Sequence, residues 1–176
     1  MTRISIGLVA LVLAASPAHG QHVSPYADLT GRDIKALSPE QIAQLRAGEG
    51  MGLALAAELN RYPGPLHALE LADSLRLSAD QTAAIQGVER AMRAVAIELG
   101  GVLIARERAL DRLFADGGAD SATVRGLALE IGRLQGELRS AHLEAHVAVT
   151  RLLTPDQRHR YQVARGYAAH GAGHAH

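Results

Sequence analysis

Two long stretches of the chain place apolar residues at alternating steps of three and four. The first stretch contains Ile85, Val88, Met92, Val95, Leu99, Val102, Arg106, Ala109 and Leu113, of which only Arg106 is polar. The second contains Val124, Leu127, Ile131, Leu134, Leu138, Ala141, Ala145, Ala148 and Leu152, all of them apolar. This spacing puts each set on one stripe of an α-helix, and two such stripes bury each other when the helices pack together. The Asp116-Gly117-Gly118 sequence between them is typical of a turn, so residues 78–152 are predicted to form an antiparallel helical hairpin.

The predicted hairpin determines the fold class. Each arm has roughly 33 to 37 residues and is therefore about 50 to 55 Å long, which is typical of an extended surface rather than of a compact enzyme core. The chain is 3% aromatic and lacks tryptophan, while alanine, leucine and arginine, which favour helices, are abundant. We therefore expect an all-α fold, a long antiparallel helical hairpin with shorter flanking helices, in a thin homodimer. The formal net charge of +0 does not indicate nucleic-acid binding.

The first 20 residues have the features of a secretory signal peptide. Arg3 provides a positive start, residues 4–15 form an apolar run too short to span a membrane, and Ala18 and Gly20 precede a cleavage site. The alternative is a retained anchor helix. The chain has no cysteine, so it carries neither disulfides nor a lipoprotein anchor. Export without disulfides favours a bacterial periplasmic protein with no membrane span after cleavage.

Prolines and glycines divide the remainder of the chain. A first helix is expected to start at Ser38 and to break near Gly48, because glycines are unfavourable inside helices and Gly50 and Gly52 follow. Pro63 and Pro65 end that region. Short helices are expected at residues 65–75 and 155–167. The predicted divisions are a signal peptide at 1–20, an N-terminal helical segment with a loose leader at 21–65, a hairpin domain at 66–167 and a disordered His-rich tail at 168–176.

A five-residue pattern recurs at three predicted helix starts. It reads Leu37-Ser38-Pro39-Glu40-Gln41, Leu77-Ser78-Ala79-Asp80-Gln81 and Leu153-Thr154-Pro155-Asp156-Gln157. The Ser or Thr is expected to cap the helix, and the Gln three positions later to close a capping box. In the second and third copies the predicted motif and helix-cap residues are Leu77, Ser78, Gln81, Leu153, Thr154 and Gln157.

The third copy matches the LTxxQ signature of the Spy/CpxP family of periplasmic proteins, and the second copy differs only by Ser in place of Thr. Two such motifs bracketing a long hairpin resemble that family over about residues 77–167, whereas residues 22–65 do not. The resemblance implies an all-α dimer that chaperones unfolded periplasmic proteins without ATP and damps envelope-stress signalling. It also implies a relation to ZraP and CnrX, which bind metal.

Several side chains are predicted to form a surface for unfolded or misfolded periplasmic proteins. Apolar residues off the stripes gain free energy by leaving water, and arginines beside them add attraction and long adaptable stems. A second copy of the hairpin can cover part of this surface. The alternative is that the arginines only solvate the outer faces, paired with nearby glutamates. The predicted client surface consists of Arg90, Arg93, Leu103, Arg106, Leu110, Phe114, Arg133 and Arg139.

The nine histidines suggest metal binding. His142 and His146 are four residues apart, so they share a helix face and can chelate one ion if His22, Glu98 or a partner subunit supplies a third ligand. The zinc-protease motif places a glutamate directly after its first histidine, whereas Glu144 comes two residues after His142, so the motif is not matched. The tail adds His170, His174 and His176, which can bind Zn, Ni or Cu without fixed geometry. No cofactor is expected to be required, and the alternative is that these histidines are surface residues.

Three functions remain open at this stage. The leading prediction is a periplasmic ATP-independent chaperone or envelope-stress protein. The alternatives are a heavy-metal-binding sensor or resistance accessory protein and a purely structural helical dimer. The chain has no Gly-rich phosphate loop, no nucleophile elbow and no cysteine, so we predict that it is not an enzyme.

Overall fold

A computed structural model describes residues 24–168, and its contacts divide the chain into two units, residues 1–30 and residues 31–176. In the first unit the described part contains a short 3-10 helix, Ala27–Leu29. The predicted signal peptide and the tail histidines His170, His174 and His176 lie outside the described residues.

The described part of the second unit consists of helices joined by turns and loops and contains no strand, which confirms the all-α fold. The two long helices, α5 and α6, have 37 and 32 residues and contact each other more extensively than any other pair. The helices are α1 (Pro39–Ala47), α2 (Leu55–Glu58), α3 (Pro65–Glu70), α4 (Ala72–Leu75), α5 (Ala79–Ala115), α6 (Ser121–Leu152) and α7 (Pro155–Ala164).

A five-residue turn, residues 116–120, reverses the chain between α5 and α6. Gly117 adopts a left-handed φ of 69°, which glycine tolerates without a Cβ penalty. Asp120 then caps α6, since its carboxylate accepts hydrogen bonds from the backbone N–H groups of Ala122 and Thr123 at 2.9 and 3.1 Å. A hydrogen bond from the Thr123 hydroxyl, together with these N–H groups, lowers the pKa of the Asp120 carboxyl.

The N-terminal segment packs on the hairpin, chiefly through α1 on α5. A Cβ built on Gly100 would lie 3.0 Å from the carbonyl carbon of Leu45 and closer still to its oxygen, so the two backbones meet where α5 has no side chain. Asp33 pairs with Arg108 at 2.9 Å, and this guanidinium lowers the pKa of the Asp33 carboxyl. The predicted break after α1 occurs at Gly48, which has a left-handed φ of 66°.

Two clusters of buried apolar residues hold the layers together. The first lies between α1 and the middle of the hairpin and contains Ile34, Leu45, Ala96, Leu103, Ile104, Ile131, Leu134 and Leu138. The second lies where α5 begins and α6 ends, and contains Ala68, Leu75, Ile85, Val149, Leu153 and Tyr161. The short helices therefore cover the hairpin at two separate places.

The two predicted stripes differ in their burial. On α6 the stripe is buried at Ile131, Leu134, Leu138 and Ala145. On α5 the stripe is buried at Ile85, but the other core residues are Ala96, Gly100, Leu103, Ile104 and Glu107, while Val95 and Val102 on the stripe are 44% and 37% exposed. The reason is the docking of α1, which covers a face of α5 displaced by one residue, or about 100°, from the stripe.

Two short elements differ from the sequence prediction. The helix expected at residues 65–75 is divided at Leu71, whose φ and ψ of −98° and 16° are not helical. The last helix ends at Ala164 rather than Tyr167, because Gly166 adopts a left-handed φ of 76° and stops the helix.

Candidate functional site

All three copies of the five-residue pattern form capping boxes. Ser78 Oγ accepts from the Gln81 N–H at 3.1 Å, and Thr154 Oγ1 accepts from the Gln157 N–H at 3.2 Å. Each glutamine Oε1 accepts in return from the backbone N–H of its capping residue. Ser38 and Gln41 form the same box at the start of α1. The helices α1, α5 and α7 thus each begin with the capping box that the pattern predicts.

The second and third copies also bind each other, which the local pattern does not indicate. Gln81 Nε2 donates to Gln157 Oε1 at 2.9 Å, and Gln157 Nε2 donates back to Gln81 Oε1 at 2.9 Å. Their remaining amide hydrogens go to the carbonyl oxygens of Leu152 and Arg76 at 2.8 and 3.3 Å. We call this reciprocal pair the glutamine clasp. Since Leu153 is buried and Leu77 packs against the same cluster, the two motifs join the start of α5 to the end of α6.

A buried carboxylate lies beside the clasp end of the hairpin. Glu58 accepts hydrogen bonds from the Tyr161 hydroxyl at 2.7 Å, the Tyr167 hydroxyl at 3.2 Å and Arg165 Nε at 3.2 Å. Burial, reinforced by the neighbouring Glu58 carboxylate, raises the pKa of Tyr161 far above its ordinary value. No sequence motif marks this cluster, because its members come from α2, α7 and the residues after α7. Its hydrogen bonds tie α2 to the C-terminal helix.

His142 and His146 are both buried, and each ring is oriented by a backbone carbonyl. His142 Nδ1 lies 2.9 Å from the Leu138 oxygen, and His146 Nδ1 lies 2.7 Å from the Tyr62 oxygen. A carbonyl only accepts, so each Nδ1 carries a hydrogen, and an imidazole in its neutral form then presents a lone pair at Nε2. His142 is 3% exposed, and its Nε2 has no hydrogen-bond partner. Such a buried, unpartnered acceptor can serve as a ligand.

These two histidines line a groove of about 400 Å³ between the α1–α2 connection, α3 and the hairpin. Met51, Met92 and His67 line the same groove. Met51 has a left-handed φ of 44°, an uncommon conformation for a residue with a side chain. Among residues 24–168 no three His, Asp or Glu side chains are grouped so as to hold a metal ion.

The residues predicted for client binding are divided between core and surface. Leu103 is buried in the first cluster, so its prediction as a surface residue is wrong: α1 and α6 cover it. Leu110 is half-buried against the same cluster, and Phe114 is exposed.

Three of the predicted arginines have carboxylate partners. Arg93 pairs with Glu89 at 2.8 Å and Arg133 with Glu137. Arg106 lies 2.8 Å from Glu130 across the hairpin, although its N–H is not aligned for a hydrogen bond. Arg90 and Arg139 are exposed, and within the described part of the chain neither forms an ion pair.

Apolar side chains remain uncovered along both long helices. Val95 and Val102 lie seven residues apart on the predicted stripe of α5, and Leu129 on α6 is 65% exposed. We call Val95, Val102 and their half-buried stripe neighbours Val88 and Leu99 the open stripe.

The fold and its motifs define a class of proteins built on a long helical hairpin with a capping motif at either end. The chain belongs to the LTXXQ motif family, whose profile matches residues 66–165, and this is the Spy/CpxP-type family that its sequence resembles. Proteins of this family are periplasmic. Comparisons with curated proteins and with solved structures gave no match. None of the helices within residues 24–168 combines the length and the apolar composition needed to cross a bilayer.

Proposed function

We propose that this protein is a periplasmic, ATP-independent chaperone of the Spy/CpxP type that binds unfolded or misfolded proteins on its long helices. The observation that carries the proposal is the open stripe, because Val95 and Val102 have the spacing of packed residues and yet are 44% and 37% exposed. Apolar contact is non-directional, so such a stripe can hold many different unfolded segments. The exposed Arg90 and Arg139 add attraction for acidic segments.

The test is suppression of aggregation of an unrelated unfolded protein, without nucleotide, at a near-stoichiometric ratio. We expect protection by the parent chain and weaker protection by Val95→Ser combined with Val102→Ser. The matched control is Val163→Ser, which removes a valine that is 56% exposed on α7, outside the open stripe. Absence of protection by the parent chain at several-fold excess would disprove the proposal. Equal loss in the control variant would place client binding elsewhere.

We further propose that the chain is a homodimer in which a second copy covers part of the apolar surface. A two-fold dimer uses the same patch on both subunits, and the exposed Leu129 and Val147 on α6 lie outside the open stripe and offer such a patch. Sedimentation analysis over a range of concentrations should reveal a dimer in the parent chain, a weaker one in Leu129→Ser, and an unchanged one in the Val95→Ser, Val102→Ser variant. A monomer at all concentrations would disprove the dimer.

A second candidate function, binding of a soft metal ion, is favoured by the unpartnered Nε2 of His142. Zn and Ni sites use three or four nitrogen, oxygen or thiolate ligands, and the described residues group no such set. Two imidazoles with thioethers suit Cu(I), and Met51 and Met92 line the groove beside both histidines. We therefore propose Cu(I) as the ion, in a sensor or resistance role.

Competition for Cu(I) against a chromogenic chelator tests this second candidate. The tail confounds such an experiment, so the starting protein is the full chain with His170, His174 and His176 replaced by Ala. We expect it to retain binding and to lose it on His142→Ala or Met92→Leu, while His159→Ala has no effect, because His159 does not line the groove. If binding disappears with the three tail histidines, the hairpin holds no specific site.

A further inference from the structure

A second groove, of about 640 Å³, lies at the clasp end of the hairpin, between the loop after α2, the last part of α6 and α7. Its polar lining includes Arg61, Arg158, His159 and Gln162, and no aspartate or glutamate of the described residues lines it. A groove that gathers cationic and amide donors without a carboxylate favours an anion.

The two arginines of this groove are not neutralised. Seven other arginines or lysines pair with carboxylates, whereas among the described residues neither Arg61 nor Arg158 does. Arg160, two residues from Arg158 on the same helix, pairs with Asp156 at 2.9 Å. On α7, therefore, the charge of Arg158 is not neutralised at the groove, whereas that of Arg160 is neutralised by Asp156.

His159 lies beside these arginines in the lining and adds a ring N–H donor. Gln162 also contributes to the lining, but its Nε2 is enclosed by the protein, so the two arginines and His159 are the donors that a ligand in the groove can reach.

The backbone of Arg61 points to the same conclusion. Its φ of 69° lies in the left-handed region, which glycine adopts readily and which is strained for a residue with a Cβ. Glycine would suit this backbone better than arginine does. Strained positions of this kind cluster at ligand sites, which agrees with a binding role for the Arg61 guanidinium.

We infer that this groove binds a phosphate-bearing ligand, with Arg61, Arg158 and His159 as its donors. Arginine binds both phosphate and carboxylate oxygens in pairs, but a phosphate group carries up to two negative charges on three oxygens, which matches two arginines better than the single charge of a carboxylate does. The volume exceeds that of a phosphate ion and lies in the range of ligand pockets, so the rest of the molecule can lie against Pro155 and the Tyr62 ring. A free phosphate ester and a lipid headgroup share this chemistry.

The test uses the full chain and titrates it by calorimetry with inorganic phosphate, glycerol 3-phosphate and succinate. Vesicles of phosphatidylcholine, with and without phosphatidylglycerol, form the lipid arm. We expect binding of at least one phosphate probe, weakened about tenfold by Arg158→Gln or by Arg61→Gly. Binding of glycerol 3-phosphate assigns a soluble ester, and binding to the phosphatidylglycerol vesicles alone assigns a headgroup.

Two features of the design separate a lost site from a lost fold. Arg61→Gly relieves the backbone strain, so this variant should melt at the same temperature as the parent or higher while binding more weakly. Arg160→Gln removes the same charge from the same helix and should bind within about twofold of the parent. Absence of binding to every phosphate probe, equal weakening by Arg160→Gln, or succinate binding as tight as phosphate would overturn the inference.

Discussion

At the scale of single residues, Glu107 is the buried carboxyl that the fold accommodates least easily. It lies on the buried face of α5 beside Leu103 and Ile104, and burial raises the pKa of its carboxyl. The folded state therefore binds the carboxyl proton more tightly than the unfolded state does. As a result, Glu107 destabilises the protein least below its unfolded pKa of about 4.3, where the carboxyl is protonated in both states. The destabilisation grows as the pH rises through the folded pKa.

The substitution Glu107→Gln should therefore raise the melting temperature at about pH 7 and reduce the difference in melting temperature between about pH 5 and pH 7. The amide keeps the shape of the side chain but has no charge to bury. The control is Glu98→Gln on the exposed face of the same helix, which should change neither quantity. Thermal unfolding followed by circular dichroism measures both, and a lower melting temperature for Glu107→Gln at neutral pH would contradict the prediction.

At the scale of elements, the close contact of α1 with α5 depends on one of two adjacent glycines. Gly100 meets the Leu45 backbone, whereas a Cβ on Gly101 would have nothing within 4 Å. We expect Gly100→Ala to destabilise the protein by about 1 to 3 kcal/mol through overpacking. Gly101→Ala should stabilise it by up to about 1 kcal/mol, because alanine is the better helix former. Urea denaturation measures the change in the free energy of unfolding for each variant. Equal changes in the two variants would contradict the close approach of the Leu45 backbone to Gly100.

The glutamine clasp gives a second prediction at this scale. Gln157→Ala removes the bonds to Gln81 as well as its own cap, and should cost about 2 kcal/mol. Gln41→Ala at the start of α1 removes the cap alone and should cost about 0.5 to 1 kcal/mol. In a double-mutant cycle Gln81→Ala and Gln157→Ala should show a coupling of at least about 0.5 kcal/mol. Additive effects would mean that the two glutamines act only as separate caps.

Local features were predictable from the sequence, and features that depend on tertiary packing were not. The capping boxes at Ser78 and Thr154 and the break at Gly48 depend on neighbours three or four residues away, and a single sequence contains that information. The buried face of α5 depends on where α1 docks. The glutamine clasp forms only because the tertiary fold brings Gln81 and Gln157 within hydrogen-bond distance.

The candidate sites follow the same division. The shared helix face of His142 and His146 was evident from their spacing, but the orienting carbonyl of Tyr62 and the thioethers of Met51 and Met92 were not. Nothing in the sequence around Glu58 or Gln162 indicates a buried polar group, because their neighbours come from other elements. A glycine-like conformation at Arg61 likewise has no sequence signal.

At the scale of the whole molecule, the two buried clusters divide the protein into two parts. We predict that the stability of the part around the first cluster depends on α1, whereas the stability of the clasp end does not. Leu45 belongs to the first cluster and has no place in the second. Leu45→Ala should cost about 2 to 5 kcal/mol and speed amide hydrogen exchange in α1 and the middle of α5, while the clasp end exchanges as before. Leu59→Ala, which truncates an exposed leucine, should change stability by less than about 0.5 kcal/mol. Uniform acceleration along α5 in the Leu45 variant would indicate a single cooperative unit.

The amide pair between Gln81 and Gln157 has a consequence for alignment. A stripe with apolar residues at every position, like that of α6, offers apolar partners in more than one alignment. The five-residue turn restricts the alignment at one end of the hairpin, and the two amides, which satisfy each other in only one register, restrict it at the other end. A single buried polar residue selects the register of a coiled coil in the same way. Without the pair, the helix ends remote from the turn would be aligned chiefly by apolar contact.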